Sequence, residues 1–228
     1  MIPSGPAPAG GPPLAATGDA EMTDTSDRSG PLLQLLANGL GLWIRSQCDE
    51  VGELNLRLNG SALQLLRGRL VSVELMARRV TFQGLPIKHA QLRSGPLHVH
   101  LRPGLPQLQD AFQLNGDVTM LGTDLNRALL SDRWRWLGDW LAAQLMGLPT
   151  LGSLTVDNDV LLLEAPVINA GDAIRRRFRL QAAAGTVEIR HLEAEDAVQL
   201  PMDPGIQIEE ARLQGGQLHL RGIASVSP

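Results

Sequence analysis

Residues 112–120 alternate strictly: Phe112, Leu114, Gly116, Val118 and Met120 are separated by Gln113, Asn115, Asp117 and Thr119. Successive side chains of a strand point to opposite faces, so this segment has one apolar face and one wet face. That division marks an antiparallel sheet covered on one side; a parallel sheet covered on both would read as an unbroken apolar run. The same period recurs in Leu54, Leu56 and Leu58, and again in Val71, Val73, Leu75 and Ala77. Val80 and Phe82 then take the opposite parity, which predicts a bulge near Arg78 and Arg79. Further strands are expected at 154–156, 160–163, 178–184, 187–189, 206–213 and 218–224.

Helical spacing is confined to two places. Leu32, Leu33, Leu35, Leu36, Leu40, Trp43 and Ile44 give a broad apolar face, with Ser29 available as N-cap and Pro31 in the first turn. Gly39 and Gly41 weaken that helix by about 1 kcal/mol each and would allow another backbone to approach. A mid-chain helical block is expected at 124–131 and 133–147. One early helix, then strands on either side of a helical block, is the order of an α+β protein, mainly antiparallel β, and not of a doubly wound one. Residues 90–100 and 211–221 share a hairpin-like pattern around Ser94-Gly95 and Gly215-Gly216, which predicts Leu92 opposite Leu97 and Leu213 opposite Leu218.

The chain has 228 residues, enough for one large domain. Residues 1–30 hold ten Gly or Pro with no apolar period, and are expected to be a disordered acidic tail. Met22 offers an alternative start. The tail has neither a basic n-region nor an apolar core, so no secretory signal is read there. The longest apolar segment, residues 32–44, is too short to cross a bilayer, which takes about 20 residues. A cytoplasmic or membrane-peripheral location is the expectation, with residues 31–228 as a single domain. Cys48 is the only cysteine, which excludes an internal disulfide framework. The net charge is −4, of which −3 lies in residues 1–30, so the remainder lacks the positive field of a nucleic-acid binder.

Enzyme signatures are missing: there is no phosphate-binding glycine loop, nucleophile elbow or H-E-x-x-H helix. No cofactor or metal is expected. His98 and His100 share a strand face without a third ligand nearby, and Asp157-Asn158-Asp159 reads as a turn. Arg175, Arg176 and Arg177 read either as a solvated loop entering a strand at Phe178 or as contacts for a phosphate head group. The tryptophans are concentrated: Trp134, Trp136 and Trp140 lie within seven residues, flanked by Arg133 and Arg135 and followed by Leu137 and Leu141. A Trp–Arg helix start suits a membrane interface, whereas a mid-chain helix of a folded domain suits core packing.

Gly60-Ser61, Leu65-Leu66-Arg67-Gly68-Arg69-Leu70, Val73, Leu75, Ala77-Arg78, Phe82 and Gly84-Leu85 together resemble the LmeA-like phospholipid-binding family. The likeness continues through Leu92-Arg93-Ser94-Gly95-Pro96-Leu97 and the Trp-rich segment, and is nearest the branch found in photosynthetic bacteria. It implies a fold similar to tubular lipid-binding proteins, a curved sheet wrapped around the first helix and the mid-chain block. It also implies non-enzymatic binding of phospholipid or another long apolar ligand in support of envelope or membrane lipid metabolism. On that reading Trp134, Trp136, Trp140, Leu137, Leu141, Arg133 and Arg135 touch lipid or membrane, and Arg175, Arg176 and Arg177 meet a head group. The rival expectation is a scaffold that fills its own core and binds a protein partner of unknown kind.

Overall fold

The computed structural model describes residues 31–61, 63–64, 67–100, 107–167 and 172–227. The proposed tail and the alternative start at Met22 lie outside the described residues. Helix α1 (Pro31–Ser46) leads into β1 (Glu50–Asn59), β2 (Arg69–Leu70), β3 (Ser72–Phe82), β4 (Leu85–Ser94), β5 (Leu97–His100), β6 (Gln107–Leu108) and β7 (Phe112–Leu121). Helices α2 (Gly122–Leu129) and α3 (Arg135–Met146) follow. The chain ends in β8 (Ser153–Asp157), β9 (Val160–Pro166), β10 (Ala173–Ala183), β11 (Thr186–His191), β12 (Ala197–Gln199), β13 (Ile206–Gln214) and β14 (Gln217–Val226).

The expected α+β, mainly antiparallel class is what forms, with the strands divided between two large open, curved sheets. One has six strands in the order β1-β3-β4-β7-β14-β13; the other has five, β12-β11-β10-β9-β8. A small sheet, β2-β5-β6, closes one end. The two large sheets meet where β13 packs on β10 and β11. The main core fills the angle between them: Phe178, Leu163 and Val187 from the five-stranded sheet pack with Leu129, Leu141 and Ala142 of the helical block and Met120, Leu213 and Leu218 of the six-stranded sheet. Gly138 lets α3 sit on α2, since a Cβ there would lie 2.7 Å from the Leu129 carbonyl oxygen.

Two expectations about strand geometry are corrected. The parity switch at Arg79 is real, but no residue is inserted: Arg78 faces Glu53 and Val80 faces Val51 at one constant offset. Arg79 instead adopts φ +53°, which turns the following side chains over. Gly52 makes room opposite, because a Cβ there would stand 2.8 Å from the Arg78 carbonyl oxygen. A register shift does occur elsewhere, between Ile208 and Glu210. The second correction concerns residues 90–100, which do not form a hairpin. Leu92 pairs with Leu75 and Gly116, while Leu97 pairs with Leu70 in the small sheet. Pro96 has no N–H to give a returning ladder, and the Ser94 hydroxyl accepts from the Val73 amide at 2.8 Å, so the chain leaves one sheet for another. At 215–216 the hairpin forms as expected, with Leu213 opposite Leu218.

Candidate functional site: an apolar trough across the six-stranded sheet

The alternating strands align their apolar faces through register. Leu56 stands opposite Leu75, Leu75 opposite Leu92, Leu92 opposite Gly116, Gly116 opposite Gly222, and Gly222 opposite Ile208. One row thus crosses all six strands. Each of its residues is half-buried, whereas the parallel row at Met120, Leu218 and Leu213 is fully buried under the helices. Strands lie about 4.8 Å apart, so six span about 24 Å. That exceeds the roughly 15 Å of one acyl tail in a leaflet, half of a bilayer's hydrocarbon thickness. The two glycines mid-row admit close neighbours: a Cβ on Gly116 would meet Leu92 Cδ2 at 2.8 Å, and one on Gly222 would run into the Gln207 carbonyl of β13.

What covers this row differs along its length. Helix α1 lies against β1, with Ala37 and Leu40 packed on Leu58, Leu70 and Leu97. Between α1 and β1 opens a cavity of about 370 Å³, lined by Ala37, Asn38, Gly41, Leu42, Arg45, Leu54 and Leu56. That volume falls within the about 300–1,000 Å³ of ligand pockets. Neither Gly39 nor Gly41 admits a neighbouring backbone, contrary to the sequence expectation; a Cβ on either would meet nothing within 4 Å. They leave space open. At the far edge of the sheet, a second cavity of about 510 Å³ is lined by Leu200, Met202, Ile206 and Gln207 with the β10–β11 turn.

Chemically the trough is aliphatic with a single cationic side chain at its α1 end. The exposed Arg45 makes no ion pair among the described residues. Among the described residues no buried side-chain nitrogen or oxygen lacks a hydrogen-bond partner, and no three His, Cys, Asp or Glu side chains converge as a metal site. His98 is paired with Asp110 at 2.8 Å.

The residues singled out from the sequence are distributed differently. Leu141 is buried in the main core, and Leu137, Trp134 and Trp140 pack against it. Trp136 points outward, 56% exposed, and its ring stacks on that of Trp134 at 6.3 Å. Arg133 is exposed, and Arg135 pairs with Asp139 at 3.4 Å. Arg175, Arg176 and Arg177 belong to β10, not to a loop, because that strand begins at Ala173. Arg175 is tied to Glu164 at 2.6 Å. Beside them on β11, the hydrogen bond from Arg190 holds the Glu188 carboxyl below its ordinary range, helped by Gln181. This arginine-bearing strand is in the five-stranded sheet and the trough is in the other.

The trough residues carried a readable signal, their strand parity, but parity does not say which strand pairs with which. Register supplies the row. Among the described residues no helix is long and apolar enough to cross a membrane. Comparison with curated proteins and with solved structures finds no match. Comparison with protein families does: residues 28–223, nearly the whole described fold with its trough, match, and the chain belongs to the LmeA-like phospholipid-binding family.

Proposed function

We propose that the protein binds a phospholipid, or a lipid of similar build, with an acyl chain laid along the row from Leu56 to Ile208 and the phosphate near Arg45. The observation that carries this reading is the half-buried apolar row itself, which six strands align and the helices leave partly uncovered. Membership of a phospholipid-binding family supports it. Each methylene moved out of water contributes about 0.8 kcal/mol, so an acyl chain needs no polar partner to be held. The guanidinium of Arg45 then supplies orientation, since arginine makes strong charge-assisted bonds to phosphate oxygens. The role is binding, in support of membrane or envelope lipid metabolism.

The test is mass spectrometry of solvent extracts from protein purified without detergent, against a control protein from the same preparation. Phospholipid in near-stoichiometric amount is expected from the native chain. Gly41→Leu should lose it, because the new side chain projects into the α1–β1 cavity. The same change removes a helix-weakening glycine, adding up to about 1 kcal/mol to α1, so the variant should melt no lower than the parent. A clean extract from the native chain, with vesicle-supplied phospholipid also failing to bind, would defeat the proposal in favour of a scaffold that fills its own core.

A further inference from the structure

The protein has seven aromatic residues, and three of them are exposed: Trp43, Phe82 and Trp136, at 46%, 42% and 56%. They are 93 residues apart in sequence at the extremes, yet the segments that carry them meet at a single turn. That turn joins β3 to β4 through Gln83 and Gly84, both at positive φ. Phe82 precedes it directly. From one side, the segment leaving α1 grips it: the Asp49 amide donates to the Thr81 carbonyl oxygen at 2.9 Å, and the Asp49 carboxylate accepts from the Gly84 amide at 2.7 Å. Trp43 lies in the last turn of that helix. From the other side, the Trp134 indole N–H donates to the Gln83 carbonyl oxygen at 2.9 Å, and Trp136 stacks on Trp134. Arg133 lies over Gly84, its Cδ 3.2 Å from where a Cβ would be.

Leaving all three rings about half exposed at one end forgoes part of the burial each could gain. Tryptophan and arginine together match one environment in particular: rings at the level of lipid glycerol and guanidinium groups at the phosphates. Arg45 and Arg133 are both free of ion pairs among the described residues. The patch is also continuous with the trough, because Leu42 and Arg45, neighbours of Trp43 on α1, line its cavity. We infer that this end of the molecule, the β3–β4 turn with Trp43, Phe82 and Trp136, docks on the interfacial layer of a phospholipid bilayer. The choice of partner rests on the lipid-binding reading above. Docking there would place the α1 end of the trough against the source of its ligand. Asp49, Glu50 and Asp132 are exposed on the same segments and outnumber the two arginines, so the rings carry the attachment and net charge does not.

Flotation of the full chain with phosphatidylcholine vesicles, and with vesicles also containing phosphatidylglycerol, tests this. Both should bind to a similar extent, with a blue shift of tryptophan emission. The triple variant Trp43→Ala/Phe82→Ala/Trp136→Ala should lose about tenfold in partitioning per ring removed. All three side chains are exposed, so its melting temperature should stay near the parent's. Val71→Ser removes an equally exposed apolar side chain at the other end of β1, about 30 Å away, and should change nothing. Vesicle binding unchanged in the triple variant, equally weakened by Val71→Ser, or absent from the native chain would overturn the docking surface. Solvent extraction of the same preparations separates the two ideas: bound lipid without flotation sinks docking alone, and flotation without bound lipid sinks the trough alone.

Discussion

The thiol of Cys48 sits where α1 gives way to β1, half-buried and donating to the Ile44 carbonyl oxygen at 3.3 Å. Burial pushes its pKa above the ordinary thiol value, and the neighbouring Asp49 carboxylate pushes the same way. Only the thiolate is nucleophilic, so at pH 8 the folded protein should alkylate with iodoacetamide more slowly than the same chain in denaturant. Equal rates would mean that the corner between α1 and β1 opens freely. The sequence located this cysteine beside a helix but could not show its acidity, because neither burial nor the Ile44 carbonyl belongs to any local pattern. Trp136 and Trp140 teach the same lesson. Four residues apart on one helix, they stand near one face by spacing alone, yet Trp140 packs against the core and Trp136 leaves it. Four residues leave about 40° between side chains, and α3 meets the core at a boundary that falls within that angle.

Among its described side chains, helix α1 is lightly committed to the fold. It has sixteen residues and a single charged one, Arg45; Leu42 and Trp43 are exposed at 70% and 46%; its packing partners are on β1 and the small sheet. Local opening is easiest where few apolar contacts hold an element, so the amides of residues 34–46 should exchange with deuterium far faster than those of β9 or β10. If phospholipid occupies the cavity beneath α1 as proposed, its addition should slow that exchange selectively. Exchange in α1 as slow as in the core strands would show a fixed helix and a trough that does not open there. Periodicity found this helix and its broad apolar face, which by itself reads equally well as core. The stripe is equally what a cover over an apolar ligand needs, and only the empty space beside Gly41 distinguishes the two.

The two large sheets share one core, and Phe178 stands where they meet the helices, fully buried with its ring edge-on to His191 at 5.1 Å. Removing it leaves a cavity that helices and both sheets border, and Phe178→Ala should cost about 3–5 kcal/mol. Because the core is shared, urea unfolding followed by tryptophan emission and by far-ultraviolet circular dichroism should give one coincident transition, displaced as a whole in the variant. Two separated transitions would mean that the sheets are independent units. The arrangement also explains why the trough survives folding. The helical block is used up in covering the five-stranded sheet and the Met120–Leu218–Leu213 row, so of the next row but one only the ends at Leu56 and Ile208 are packed over, and Leu75 and Leu92 between them stay half-buried.

Which residues face inward was written in the chain, since period two is a local consequence of strand geometry and Leu54, Leu56, Leu58, Phe112 and Leu114 display it without any partner. The α+β class, the helices at both places and the family likeness followed from such local patterns. Register, the division into two sheets and the crossing from β4 into the small sheet did not, because a strand's hydrogen bonds are satisfied equally well by any partner of suitable parity. The choice among partners is made by burying the whole set of side chains at once. The trough and the meeting of the segments that carry Trp43, Phe82 and Trp136 at one turn are products of that choice, and so became visible only in the tertiary structure.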